Sequence, residues 1–157
     1  MNRIKVESLD IIEAFESNNP SLTYFLNRES GEVVKVDEGF CADETILGID
    51  YFSDPKYIRI PKISDKEGLR IREEYITKVE NESLCDRLEQ ILLGRGSLKR
   101  FVDILRVYPS YYKDWIRFKN RKIIRIIEMW SRGLDIELDL VSLPGLNDIS
   151  EITERDN

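Results

Sequence analysis

Histidine is absent from this 157-residue chain. That one absence excludes histidine-dependent nucleophile systems, histidine acid–base chemistry and imidazole metal ligation. Cysteine is scarce. Cys41 and Cys85 lie far apart and outside any CxxC, so neither a disulfide framework nor a thiolate zinc site is expected. Long apolar runs are missing too: no stretch approaches the roughly 18 residues of a membrane span. Acids interrupt the apolar residues of "MNRIKVESLDIIEAFESNN", where a secretory signal would need an unbroken block. The chain is therefore expected to be cytoplasmic, with no membrane partner. No glycine-rich loop ends in GK[ST], which argues against nucleotide hydrolysis of the phosphate-loop kind. Any catalysis would have to run on carboxylates, lysine, arginine or tyrosine, and no catalytic residue, metal ligand or cofactor site stands out.

What is present is a composition of 41% apolar and 34% charged residues, that of a globular protein somewhat richer in charge than usual. The length fits one domain that buries about two thirds of its unfolded surface. Residues 1–140 are expected to form it. Residues 141–157, with Pro144, Gly145 and several acids, are expected to be a poorly ordered acidic tail.

Periodicity gives the elements. Val6, Leu9, Ile12 and Phe15 predict a helix over 5–17. "LTYFLNRESGEVVKV" predicts a hairpin, with Gly31 supplying the positive φ of a tight turn. "ILGIDYF" (46–52) reads as a further strand or an irregular loop, and "KYIRIP" as a short strand ended by Pro61. Four helices follow. Ser64 and Glu67 form a capping-box pattern for one running to about Glu80, with Gly68 on its apolar face where a neighbour should pass close. Ser83 is expected to start the second and Gly94 to follow its end. Ser97 starts the third, which Pro109 stops. Ser110 starts the fourth, which ends near Arg132 with Gly133 behind it. "LDIELDL" (134–140) alternates with period two and predicts a half-buried strand whose outer face carries Asp135, Glu137 and Asp139. The fold class expected is α+β: a small antiparallel sheet, the hairpin plus one or two strands, packed against a C-terminal helical layer.

Charge is distributed unevenly. The whole chain carries −6. Residues 94–127 hold 10 Lys+Arg and 2 Asp+Glu, a local net of +8. On a helical wheel Arg117, Arg121 and Arg125 share one stripe, opposite Tyr112, Ile116, Ile123, Ile127 and Trp130. Lys99 and Arg100 fall in the first turn of the preceding helix. There each opposes the helix dipole, at a cost of about 0.3–1 kcal/mol when exposed. Free N–H groups at the same helix start favour an anion, and Gly94 and Gly96 would let backbone approach it closely. Arg95, Gly96, Lys99, Arg100, Arg117, Arg121 and Arg125 are the candidate partner-binding residues. The nearby Tyr108, Tyr111, Tyr112, Trp115 and Trp130 suit either base stacking or, at their helical spacing, a core. Asp114 and Glu128 stand close enough in sequence to neutralise part of the stripe.

"LNRESGEVV", "YIRIP", "EGLRIREEYITKVENESLCDRLEQILLGRGSLKRFVDIL" and "WIRF" occur in this order. The succession resembles a small, mostly bacterial group, uncharacterised protein family 0158, over roughly residues 22–136. Its most specific piece is "GRGSLKRFVDIL", where the family commonly carries an aromatic in place of Leu98. The resemblance implies the helix–hairpin–strand–helices order and supplies no activity.

Three functional readings are carried forward. The first is a non-enzymatic binding or regulatory protein whose basic helical surface takes an anionic partner, nucleic acid or an acidic protein. The second is a protein-interaction module, an inhibitor or adaptor, acting through the acidic residues of 37–54, the strand 134–140 and the tail. The third is a metal-dependent hydrolase built on Asp37, Glu38, Asp43, Glu44, Asp50 and Asp54, whose spacing matches no compact calcium loop.

Overall fold

The computed structural model describes residues 2–38 and 50–141. The chain is α+β, and its described residues group into two compact units. One comprises residues up to Ile63 together with those from Ile123 onward; the other is Ser64–Lys122.

The first unit begins with a strand, β1 (Asn2–Glu7), and only then a helix, α1 (Ser8–Glu16). The helix expected over 5–17 is thus too long at its start. Ile4 and Val6 obey strand alternation and are both buried, while Val6 also fits the helical spacing with Leu9. The partner that decides for a strand is β5 (Ile136–Val141), which pairs with β1 in parallel from Asn2↔Ile136 to Glu7↔Val141. A parallel pair needs a long crossover connection, and here nearly the whole chain serves as one. The strand expected at 134–140 therefore exists, shifted to 136–141, in a two-stranded sheet of its own.

The hairpin forms as expected: β2 (Leu22–Asn27) and β3 (Val33–Asp37) pair antiparallel. Its turn is held by Asn27, whose Oδ1 accepts from the Glu29 and Ser30 N–H groups at 2.9 and 3.1 Å. Gly31 takes φ +80°, and a Cβ there would lie 1.9 Å from the Lys5 carbonyl oxygen. The glycine therefore serves both the turn and the close passage of β1. β4 (Tyr57–Arg59) pairs with the other edge of β2, giving the order β3-β2-β4. The core joins Ile4, Val6, Ile11, Phe15, Tyr24, Leu26 and Ile60 to Ile123, Ile127 and Ile136. Trp130 meets Phe15 edge-on at 5.5 Å. Phe25 is covered instead by Tyr51 and Phe52. These two stand in a turn, so of the strand and the irregular loop open for 46–52 the loop holds here; residues 46–49 lie outside the described ones.

The second unit holds α2 (Asp65–Ile76), α3 (Glu82–Leu92), α4 (Ser97–Leu105) and the first half of α5 (Pro109–Gly133). Ser64 caps α2 by accepting from the Glu67 N–H at 3.1 Å. α2 stops at Ile76, short of Glu80, although Val79 is buried beyond it. Asn81, two residues before Ser83, caps α3 through the Leu84 N–H. Pro109 is the first residue of α5, a position where its missing N–H costs nothing. Leu98 comes to 3.5 Å of where a Gly68 Cβ would lie, the close passage expected there. At the centre Trp115, fully buried, meets Tyr75 at 5.4 Å and Phe101 at 5.0 Å. Burying side chains of this size contributes roughly 1.5–3 kcal/mol each.

Of the acidic tail expected at 141–157, Val141 ends β5 and the rest lies outside the described residues. No helix among the described residues is long and apolar enough to cross a membrane.

Candidate anion-binding surface

The basic block starts where α3 ends. The Gly94 N–H donates to the Ile91 carbonyl at 3.0 Å, Gly96 takes φ +65°, ψ 25°, and α4 begins at once. The start of α4 is therefore also the carbonyl end of α3, which carries partial negative charge. This explains one of its bases. Arg100 folds back so that its Nη1 donates to the Arg95 carbonyl at 3.2 Å. Its guanidinium also lies 3.4 Å from where a Gly94 Cβ would be. The space beside Gly94 is thus taken by the protein's own cation, at ordinary contact distance. Gly96 has open space where a Cβ would lie, so its glycine answers only the left-handed φ and its backbone stays approachable.

Arg95 and Lys99 have no such employment. Both are exposed, and the first turn of α4 holds no acid and no side-chain cap. On α5 the wheel expected from the sequence is realised. Tyr112, Ile116, Ile123 and Ile127 are buried, Arg121 and Arg125 are exposed, and Arg117 is half-buried. Among the described residues no carboxylate stands within 4.0 Å of Arg95, Lys99, Arg100, Arg117, Arg121 or Arg125. Neither Asp114 nor Glu128 neutralises the stripe. Lys122, by contrast, is paired with Glu74 at 2.7 Å. Arg95 and Arg100 are brought together by the hydrogen bond between them.

Sequence reasoning overlooked Lys113, exposed and four residues before Arg117, which extends the stripe; spacing alone was enough to find it. It overlooked two groups that no sequence signal marks. The Arg72 guanidinium lies 5.6 Å from the Phe101 ring and 5.2 Å from the Trp115 ring, with Nη1 donating to the Gly68 carbonyl at 3.0 Å. Asn120, 2% exposed, has neither carboxamide atom hydrogen-bonded, and the buried Nε of Arg117 one turn earlier also lacks a partner.

The aromatic residues divide. Trp115 and Tyr112 are buried, Trp130 is packed on Phe15, and Tyr108 and Tyr111 are half-buried. The Tyr75 hydroxyl donates to the Tyr111 carbonyl at 2.8 Å. Burial first, then the Asp114 charge, raises its pKa well above the tyrosine range. Cys85 is half-buried. Partial desolvation, then the Glu89 carboxylate 3.7 Å from Sγ, holds its thiol above its ordinary value, and a thiol so held is a poor nucleophile at neutral pH. Cys41 lies outside the described residues.

Two of the acids considered for metal binding serve local turns, and Asp37 ends β3. Asp50 accepts from the Phe52 N–H at 3.2 Å and the Ser53 hydroxyl at 2.8 Å, and Asp54 accepts from the Lys56 N–H at 2.9 Å. Asp43 and Glu44 lie outside the described residues. Among the described residues no three carboxylate or thiol groups gather as a metal site would require.

No solved structure matches the chain. A curated relative, "UPF0158 protein PA5073" of Pseudomonas aeruginosa, is 25% identical over 132 residues, which cover 83% of this chain and 85% of the relative. The model of the uncharacterised protein family UPF0158 matches residues 1–144. A match over that span, around the succession of motifs already read from the sequence, places the chain in UPF0158.

Proposed function

We propose that this protein is a non-enzymatic binding protein whose basic helical surface takes an anionic partner, with nucleic acid the class that fits best. The observation that carries the reading is the set of exposed bases with no carboxylate within 4.0 Å among the described residues: Arg95 and Lys99 at the start of α4, and Arg121 and Arg125 along α5. Like charges four residues apart on a helix repel by a few tenths of a kcal/mol per pair. A bound polyanion turns that cost into a gain through release of its condensed counterions.

A titration of labelled short DNA and RNA at two salt concentrations tests this. Six phosphate contacts would make affinity fall by about 10³-fold between 50 and 200 mM salt. Binding that ignores salt, or no binding, removes the reading.

A further inference from the structure

The bases at the start of α4 sit within a specific arrangement. α3 (Glu82–Leu92) ends, a four-residue turn containing the left-handed Gly96 follows, and α4 (Ser97–Leu105) begins. The two helices pack on one another. Two packed helices joined by a short glycine-containing turn are the frame of a helix-turn-helix, whose second helix enters the DNA major groove. α4 is oriented for that role. It buries Phe101 and Leu105 and sets Leu98 against Gly68, which leaves Lys99, Arg100 and Asp103 exposed on its opposite face. The major groove of B-form DNA is about 12 Å wide and admits a helix. That of A-form RNA is too narrow for side chains to read. Readers of single strands stack bases on open rings, whereas around α4 Phe101, Tyr112 and Trp115 are buried and Tyr108 and Tyr111 half-buried.

We infer that α3, its turn and α4 form a helix-turn-helix that places α4 in the major groove of double-helical DNA. Arg95 meets the phosphate backbone, and Lys99 and Asp103, one turn apart, face base edges. A lysine donates to guanine O6 or N7, and an aspartate accepts from the cytosine amino group. Glu82, Asp86 and Glu89 on α3 repel phosphate, so the turn and α4 lead the approach. The inference rests on the nucleic-acid reading above and narrows it to one form and one helix.

The test compares one sequence as duplex DNA, as single-stranded DNA and as duplex RNA, with inorganic polyphosphate as a fourth probe, followed by enrichment from a random duplex DNA pool. Duplex DNA should bind about tenfold tighter than the other three, and the pool should yield a motif. Asp103→Asn should relax one position of that motif, and Arg95→Gln should weaken all sequences alike and lower the salt slope by about 1. Circular dichroism checks that both exposed variants stay folded. Equal binding to all four probes with no motif overturns the helix-turn-helix while leaving an anion-binding surface standing. Preference for single strands or duplex RNA overturns it in favour of another nucleic acid. Binding to none of the four removes both readings.

Discussion

Two charged faces of this protein differ in what the fold sets next to their bases. On the outer face of the β1–β5 pair, Arg3 stands in register with Glu137, and Lys5 with Asp139. Neither pair closes to within 4.0 Å, so the opposite charges attract only weakly, as neighbours across the ladder. The acids of "LDIELDL" look like an interaction face in the sequence; in the sheet they stand beside the bases of "NRIKVE". On α4 and α5 the exposed Arg95, Lys99, Arg121 and Arg125 have no carboxylate beside them among the described residues. A run of one sign thus says little by itself, because the fold can set the opposite sign in register with it.

The contrast extends to a glycine beside each face, and the largest expected effect lies there. Gly31→Ala combines a left-handed φ with a Cβ 1.9 Å from the Lys5 carbonyl. It should cost about 3 kcal/mol or more, strain and overpacking together. Gly96→Ala meets open space and should cost only about 1 kcal/mol. Urea midpoints of the two variants measure the difference; equal losses would show that β1 does not constrain the hairpin turn.

Next in size is Asn120→Leu. Its carboxamide is buried without hydrogen bonds, so an apolar side chain of similar size should raise stability by about 1–2 kcal/mol. Thermal unfolding reads this directly, and a loss would mean that the carboxamide is satisfied in solution.

Charge reversal sharpens the comparison itself. Asp139→Lys places a like charge beside Lys5 and should destabilise by roughly 0.2–1 kcal/mol. Lys99→Glu should instead stabilise α4 by about 0.3–1 kcal/mol, because an acid suits a helix start, while weakening polyanion binding. Opposite signs in the two unfolding curves are the expected outcome. A destabilised Lys99→Glu would mean that the lysine is matched after all.

The smallest effect is a pH dependence. The folded state holds the Tyr75 proton more tightly than the unfolded chain does. Unfolding therefore releases a proton above about pH 10, and stability falls as pH rises through that range. Tyr75→Phe should flatten this limb of the curve relative to the parent, as followed by urea midpoints between pH 9 and 11.

Much of the fold was legible because local rules govern it. Ser64 caps its helix, Gly31 turns its hairpin, and the i, i+4 spacing of Tyr112, Ile116, Ile123 and Ile127 names the buried side of α5. Boundaries slipped where a residue satisfies two patterns. Val6 fits both the helix and the strand, and Asn81 outcompetes Ser83 as a cap because its carboxamide reaches the Leu84 N–H. The bases of the candidate surface were found from composition, yet the role of Arg100 was not. The dipole of its own helix argues against it, and the turn carbonyl of Arg95 that takes up its guanidinium accounts for it.

The sequence by itself determined the type of most elements (β1 excepted), the apolar faces and the concentration of positive charge, since each follows from side-chain period and from turn and cap chemistry within a few residues. Tertiary structure alone decided the β1–β5 pairing, the register that sets Arg3 and Lys5 beside Glu137 and Asp139, and the burial of Trp115. Those depend on contacts between residues distant in the chain, and no local pattern encodes which distant strand or ring arrives.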